Sequence, residues 1–221
     1  MDKLSKSIEQ LKHNEVGKLI VSRLNQFSLL RKRNITEIFK ELCFCIMTAN
    51  FQAEKSIFIQ KEIGNGFLNL SENELANKLK QLGHRFPNTR AKYICEARKF
   101  KDKLTENLKN LNISNLNKHS KQYNEFKIRE WLVENIKGIG YKEASHFLRN
   151  IGFTNLAIID FHIIDILNEH KLIQTPKNKS LSRTSYIEIE KRLGEIAKKT
   201  KLSLAELDLY LWYMETGKVL K

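Results

Sequence analysis

The chain has only two prolines and nine glycines in 221 residues. Few positions therefore force a break in regular structure, because these two residues are the strongest interrupters of a helix. Cysteine is scarce too: Cys43, Cys45 and Cys95 are the three. Three thiols cannot all pair with one another, and none stands at a metal-ligand spacing. An iron–sulfur cluster held by cysteines needs four. Cys43 and Cys45 lie in the apolar stretch from Leu42 to Met47, and all three thiols are expected to be reduced core residues in a reducing compartment. No apolar run reaches membrane-spanning length. The opening Met1-Asp2-Lys3-Leu4-Ser5 lacks the apolar centre of a secretion signal. The expectation is an intracellular protein of cytoplasm or nucleoid with no membrane partner. Strand-like alternation, internal repeats and low-complexity linkers are missing as well, which leaves an all-α fold class.

Positive charge is what the chain has in excess. Lys and Arg number 39 against 25 Asp and Glu, a formal charge of +14. A surface of that sign attracts polyanions, and nucleic acid is the first candidate partner. An anionic membrane is the second, but no polybasic segment sits beside an apolar one. The length and a hydrophobic share of 41% suffice for a self-supporting core.

Apolar residues recur with helical spacing almost throughout. Residues 15–27 place Val16, Leu19, Ile20, Leu24 and Phe27 on one face. Further helices are expected over 36–48, 53–63, 71–82, 88–108, 124–136, 141–150, 160–170 and 184–198. A last helix opens at Ser203 and ends near Gly217. Two starts carry a capping box, Ser71 with Glu74 and Ser203 with Glu206.

The segment Ile136-Lys137-Gly138-Ile139-Gly140-Tyr141-Lys142 joins two of these helices. Two glycines two apart allow a tight turn with positive φ and no Cβ in the way. The backbone N–H groups of Gly138 and Gly140 can then approach a phosphate, helped by the free N–H groups and dipole of the helix that follows. Such a clamp positions a nucleic acid without reading its sequence. By itself a Gly-x-Gly turn is also an ordinary helix–helix connection. Lys142 stands in the first turn, where an ammonium is electrostatically disfavoured and a neutral, nucleophilic amine is favoured. An exposed helix lysine is the plainer alternative. Asp160 follows the apolar residues Leu156 to Ile159 and precedes another helix. It is a good N-cap, worth about 1 kcal/mol. The same carboxylate can stabilise a cationic sugar or assist the lysine.

Ile136 to Ala144 followed by Leu156-Ala157-Ile158-Ile159-Asp160-Phe161-His162 resembles the helix–hairpin–helix DNA glycosylases that carry a catalytic Lys and Asp. Met47-Thr48-Ala49-Asn50, His84-Arg85-Phe86, Arg90-Ala91 and the tail Leu209 to Lys221 are similar to the compact, archaeal-type 8-oxoguanine DNA glycosylase/AP lyases. The resemblance covers most of the chain. It implies one helix–hairpin–helix glycosylase domain over 1–221, with lobes at roughly 30–140 and at 1–29 plus 141–221 around a DNA cleft. It implies that Lys142 attacks C1′ of a flipped-out nucleotide with help from Asp160, and that β-elimination then nicks the strand. Gly138 and Gly140 would hold the DNA backbone, Asn50 would fill the gap left by the flipped base, and Lys221 and Trp212 would read it. The implied partner is double-stranded DNA containing 8-oxoguanine, bound by a monomer. No external metal or organic cofactor is implied. Local chemistry offers plainer roles for some of these residues: a helix C-terminal asparagine for Asn50 and core packing for Trp212. Arg85 and Arg90 are candidates for phosphate contacts or for a solvated loop.

Two rivals remain at this stage. One is a glycosylase of the same superfamily for another damaged base. The other is a non-catalytic DNA-binding module, which would need the glycines but neither Lys142 nor Asp160.

Overall fold

A computed structural model describes residues 3–111, 118–174 and 181–221. Among the described residues it contains α-helices and no strand. The helices are α1 (Lys3–Lys12), α2 (Glu15–Arg31), α3 (Ile35–Thr48), α4 (Ala53–Ile63), α5 (Gly66–Asn69), α6 (Glu72–Gln81) and α7 (Pro87–Ala97). They continue with α8 (Lys101–Leu111), α9 (Lys118–Asn135), α10 (Tyr141–Asn150), α11 (Phe161–Glu169), α12 (Arg183–Lys199) and α13 (Leu204–Thr216). No described helix is long and apolar enough to cross a membrane.

Local chemistry fixes many of the ends. Ser71 and Ser203 each accept an N–H from a glutamate three residues on, and that glutamate accepts the serine's own N–H. Gly217 ends α13 with φ +69, a conformation glycine adopts without strain. Elsewhere tertiary contacts override the local pattern. The single helix expected over 88–108 is α7 and α8 separated by a 3-10 turn at Arg98–Phe100. No proline or glycine lies there. Instead the Arg98 guanidinium reaches out to Phe67 O at 2.8 Å and Leu70 O at 2.6 Å, tying the turn to the end of α5. α1 was not expected, although Leu4 and Ile8 are fully buried. In α2 Val16, Ile20 and Phe27 are buried, whereas Leu19 is 56% exposed and leaves the expected face. Cys43 and Cys45 are core thiols as expected; Cys95 is only half-buried.

The apolar side chains form two cores. The first gathers α3 to α9, centred on Phe39, Phe44 and Phe67. Each such ring contributes about 1.5–3 kcal/mol by leaving water. The second gathers α1, α2, α11, α12 and α13. The two cores meet on α10, just after the expected lobe boundary at residue 140. Ala144, Phe147, Leu148 and Ile151 belong to the first core, which runs on to Leu156. The reason is the spacing along α10: those residues recur every three or four positions and pack on α3. The opposite side of α10 carries buried Ser145 and Arg149, which meet residues of the second group: Ser145 meets Tyr186, and Arg149 meets Asp208. α10 is thus clasped between both cores, and Lys142 rides on its first turn.

Candidate active site

The hairpin spans Ile136 to Gly140, between α9 and α10. Its turn closes with Ile139 N–H donating to Ile136 O at 3.2 Å. Gly138 has φ +82, and a Cβ there would lie 2.4 Å from Tyr93 Cδ2. Backbone conformation and close approach both demand glycine. Gly140 differs from expectation: its φ is −98, open to any residue. Its N–H donates to Glu143 Oε2 at 3.2 Å, so it caps its own helix rather than standing open to a phosphate. The first bond within α10 runs from Ala144 N–H to Gly140 O, at 2.9 Å. The N–H groups of Tyr141, Lys142 and Glu143 therefore have no partner within the helix, and they supply its positive end.

The approach to Asp160 is an extended, buried segment, and buried backbone groups must find partners. Here side chains supply them. Glu190 Oε1 accepts Ala157 N–H at 2.8 Å. The Tyr186 hydroxyl donates to Ala157 O at 2.8 Å and accepts Ile159 N–H at 3.2 Å. Glu190 is in turn held by both Nη atoms of Arg129, at 2.6 and 2.9 Å. Asp160 is the N-cap of α11, its Oδ1 accepting Ile163 N–H at 3.1 Å.

Lys142 has a side chain 29% exposed, with its ammonium 3.5 Å from Glu143 Oε1. Among the described residues no ion pair joins it to Asp160. Asp208 on α13 is a buried carboxyl that feels the charge of both. Burial pushes the Asp208 carboxyl up from its ordinary 3.8 to about 6, against the pull of Arg149 and with a smaller push from Asp160. Arg149 Nη1 bonds Asp208 Oδ2, so this acid is anchored as well as buried.

Trp212 lies one turn beyond Asp208 and is half-buried. The His162 ring meets it edge-on at 5.1 Å, and Phe161, 65% exposed, stacks on His162 at 3.9 Å. Among the described residues the indole N–H has no hydrogen-bond partner. Lys221 is seated deeply. Its ammonium lies 2.8 Å from Glu41 Oε2, bonds Gln60 Oε1, and sits 4.2 Å over the Phe44 ring. Burial holds the pKa of the nearby His146 imidazole well below its ordinary value, against the pull of a hydrogen bond to the Lys221 backbone.

Asn50 is exposed, with φ +57 just past the end of α3, where asparagine tolerates the left-handed region. Its turn is braced from the α6–α7 side. Arg90 Nη2 donates to Ala49 O at 2.5 Å, and His84 Nε2 lies 3.1 Å from Met47 O. Arg90 is thereby a buried brace, not a solvated or phosphate-facing side chain; Arg85 is exposed. Glu41, His146, Arg149, Asn150 and Asp208 were not anticipated. The one trace of them in the sequence is a charged or polar residue at a position that helical spacing turns inward, as with Asp208 between Leu207 and Leu209. Among the described residues no group of three His, Cys, Asp or Glu side chains is arranged to hold a metal ion.

A Gly-x-Gly hairpin with a lysine on its second helix, and an aspartate capping the next, is the arrangement of a helix–hairpin–helix DNA glycosylase. Comparison narrows the class. The 8-oxoguanine DNA glycosylase family model matches residues 20–202. The 8-oxoguanine DNA glycosylase/AP lyase of Korarchaeum cryptofilum is 48% identical over 221 residues, covering 100% of this chain and 99% of that one. The enzyme of the same name from Methanocaldococcus jannaschii is 52% identical, with 99% of each covered. The crystal structure of the M. jannaschii 8-oxoguanine glycosylase/lyase in complex with a 15mer DNA containing 8-oxoguanine superposes with a TM-score of 0.88 over 99% of both chains. The 8-oxoguanine DNA glycosylase of Thermotoga maritima, 41% identical, gives 0.87 over the same share of each. The chain belongs to the 8-oxoguanine DNA glycosylase family.

Proposed function

We propose that this protein removes 8-oxoguanine from double-stranded DNA and then nicks the strand, acting as a monomer inside the cell. The observation that carries the reading is Lys142 on the first turn of α10, with Asp160 capping the next helix and both within electrostatic reach of Asp208. The damaged nucleotide must leave the stack, because its glycosidic bond is out of reach within a duplex. The neutral amine of Lys142 attacks C1′ as the bond to the base breaks, and the base departs with a proton. Positive charge develops on the sugar during this step. Asp160 stabilises it, with Oδ1 engaged by the cap and Oδ2 left to the substrate. Opening of the sugar ring gives a Schiff base. Loss of a C2′ proton then expels the 3′ phosphate by β-elimination and leaves a nick. This route calls for no metal or organic cofactor.

The backbone clamp is best assigned to Gly138 and the free N–H groups that begin α10, with Gly140 shaping the cap. Trp212 offers a half-buried ring beside His162 for the extruded base, and Asn50 offers an exposed amide to the gap. The test uses an end-labelled duplex with one 8-oxoguanine beside an undamaged duplex. Free 8-oxoguanine and a nick formed without alkali support the reading. Base release that needs alkali to reveal a break would remove the lyase step.

A further inference from the structure

The Tyr186 side chain has no part in the chemistry above, yet it touches both segments that carry that chemistry. Its ring is buried on α12. Its hydroxyl donates to Ala157 O at 2.8 Å and accepts Ile159 N–H at 3.2 Å, so it grips the backbone directly before Asp160. The same hydroxyl lies 3.4 Å from that of Ser145 on α10. Ser145 stands three residues after Lys142. The Tyr141 ring, one residue before Lys142, packs tilted on the Tyr186 ring at 5.4 Å. One side chain thus holds α10 on either side of the nucleophile and holds the segment that delivers the carboxylate.

These contacts close into a circuit. Arg129 Nη1 donates to Ser145 Oγ at 3.2 Å and to Glu190 Oε1 at 2.6 Å. Glu190 Oε1 accepts Ala157 N–H at 2.8 Å, and Ala157 O leads back to Tyr186. The Arg129 guanidinium also lies 5.4 and 5.6 Å from the ring centroids of Tyr141 and Tyr186. α9, α10, α12 and residues 157–159 are therefore tied at one point. Arg129, Ser145, Tyr186 and Glu190 are all buried, where a lost partner is costly to replace. Burial also pushes the pKa of the Tyr186 hydroxyl up, so it keeps its proton and stays a donor to Ala157 O. Among the described residues no ion pair joins Lys142 to Asp160, so their separation is set by the backbones that carry them.

We propose that Tyr186 is a positioning residue that sets the separation of Lys142 and Asp160 by tying residues 157–159 to α10. This rests on the glycosylase reading above. Excision needs the amine at C1′ and the carboxylate beside the charged sugar at the same moment, and a misplacement of about 1 Å can cost about a hundredfold in rate. Schiff-base formation at an abasic site needs the amine alone, because no base has to leave. Loss of the Tyr186 hydroxyl then slows excision and spares the abasic reaction.

The experiment compares wild type with Tyr186→Phe, which keeps the ring and removes the hydroxyl. Single-turnover excision from an 8-oxoguanine duplex should fall by about tenfold or more, with affinity for that duplex within about twofold of wild type. Borohydride trapping on an abasic duplex should stay within about threefold. Unchanged excision, or an equal loss on both duplexes, overturns the proposal. Amide hydrogen exchange reads the same contact without activity. Ile159 N–H should exchange about tenfold faster in Tyr186→Phe, while Ala157 N–H, held by Glu190, should change by less than about threefold. No change at Ile159, or an equal change at both amides, overturns the tie. If Tyr186→Phe does not fold, Ser145→Ala carries the test, since it leaves the Tyr186 bonds to Ala157 and Ile159 in place. It should slow excision by about threefold or more and spare abasic trapping, and unchanged excision overturns the proposal. If wild type acts on neither duplex but shows the exchange difference, the functional reading fails while the tie stands.

Discussion

Alanine at Gly138 places a methyl group where the hairpin has no room. Its Cβ would lie 2.4 Å from Tyr93 Cδ2 and 2.9 Å from Cε2. Carbon atoms prefer a separation of about 3.5–4.0 Å, so the ring must retreat by roughly 1 Å. Overpacking of this kind costs about 1–3 kcal/mol. The backbone adds to it, since at φ +82 an L-residue loses about 1–2 kcal/mol that glycine does not. Together the loss is about 2–5 kcal/mol, a large part of a typical stability of about 5–15 kcal/mol. Gly140 is the internal control. Its φ is ordinary, and its added Cβ meets only the flexible end of Glu143, at 3.2 Å. Gly140→Ala should cost no more than about 1 kcal/mol, the worth of a disturbed cap. Removing the ring with Tyr93→Ala in the Gly138→Ala background should relieve the clash but not the φ penalty. Equilibrium urea unfolding followed by circular dichroism measures all four proteins. Gly138→Ala within about 0.5 kcal/mol of wild type, or no more costly than Gly140→Ala, would refute the reasoning.

Other consequences follow from the buried charges and the basic surface. Arg129→Met strands the Glu190 carboxylate beside Ala157 N–H, and should cost about 3–5 kcal/mol in urea unfolding; a loss below 1 kcal/mol contradicts this. Asp208 has a folded-state pKa raised from 3.8 to about 6, so the folded state binds more protons than the unfolded between those values. Its contribution to stability is therefore complete below pH 4 and lost as pH rises through about 6. The stability difference between wild type and Asp208→Asn should shrink by about 3 kcal/mol from pH 4 to pH 7, and a flat difference would remove the effect. Asp160→Asn should lower single-turnover excision severely, whereas a near-normal rate would leave Asp160 only its cap. DNA affinity should fall steeply with salt as phosphate contacts release counterions, and a flat salt profile would contradict that.

The features legible in the sequence are those set by near neighbours. Ser71 with Glu74, Ser203 with Glu206 and Asp160 at its cap each bond within three residues, so spacing alone carries them. The hairpin is local too, though its two glycines serve different ends: only Gly138 needs its φ, and Gly140 makes room for Glu143. The break at Arg98 was hidden because its partners, Phe67 O and Leu70 O, are supplied from about thirty residues away. Glu41 was hidden for the same reason. On α3 it reads as a polar residue at the edge of an apolar run, and its partners Asn150 and Lys221 lie 109 and 180 residues further on. The place of α10 between the two cores was hidden because its apolar stripe shows that a face is buried, not which core buries it. Long-range polar networks leave almost no periodic trace, and here they carry much of the site's support.

The central claim is that Lys142 is the nucleophile. Its most direct test is borohydride trapping on a labelled duplex containing one 8-oxoguanine, with undamaged and abasic duplexes alongside, for wild type and Lys142→Gln. A covalent adduct on the 8-oxoguanine and abasic duplexes that disappears in Lys142→Gln, while DNA binding remains, is the predicted result. An adduct that survives the substitution, or no adduct with wild type on either damaged duplex, would contradict it.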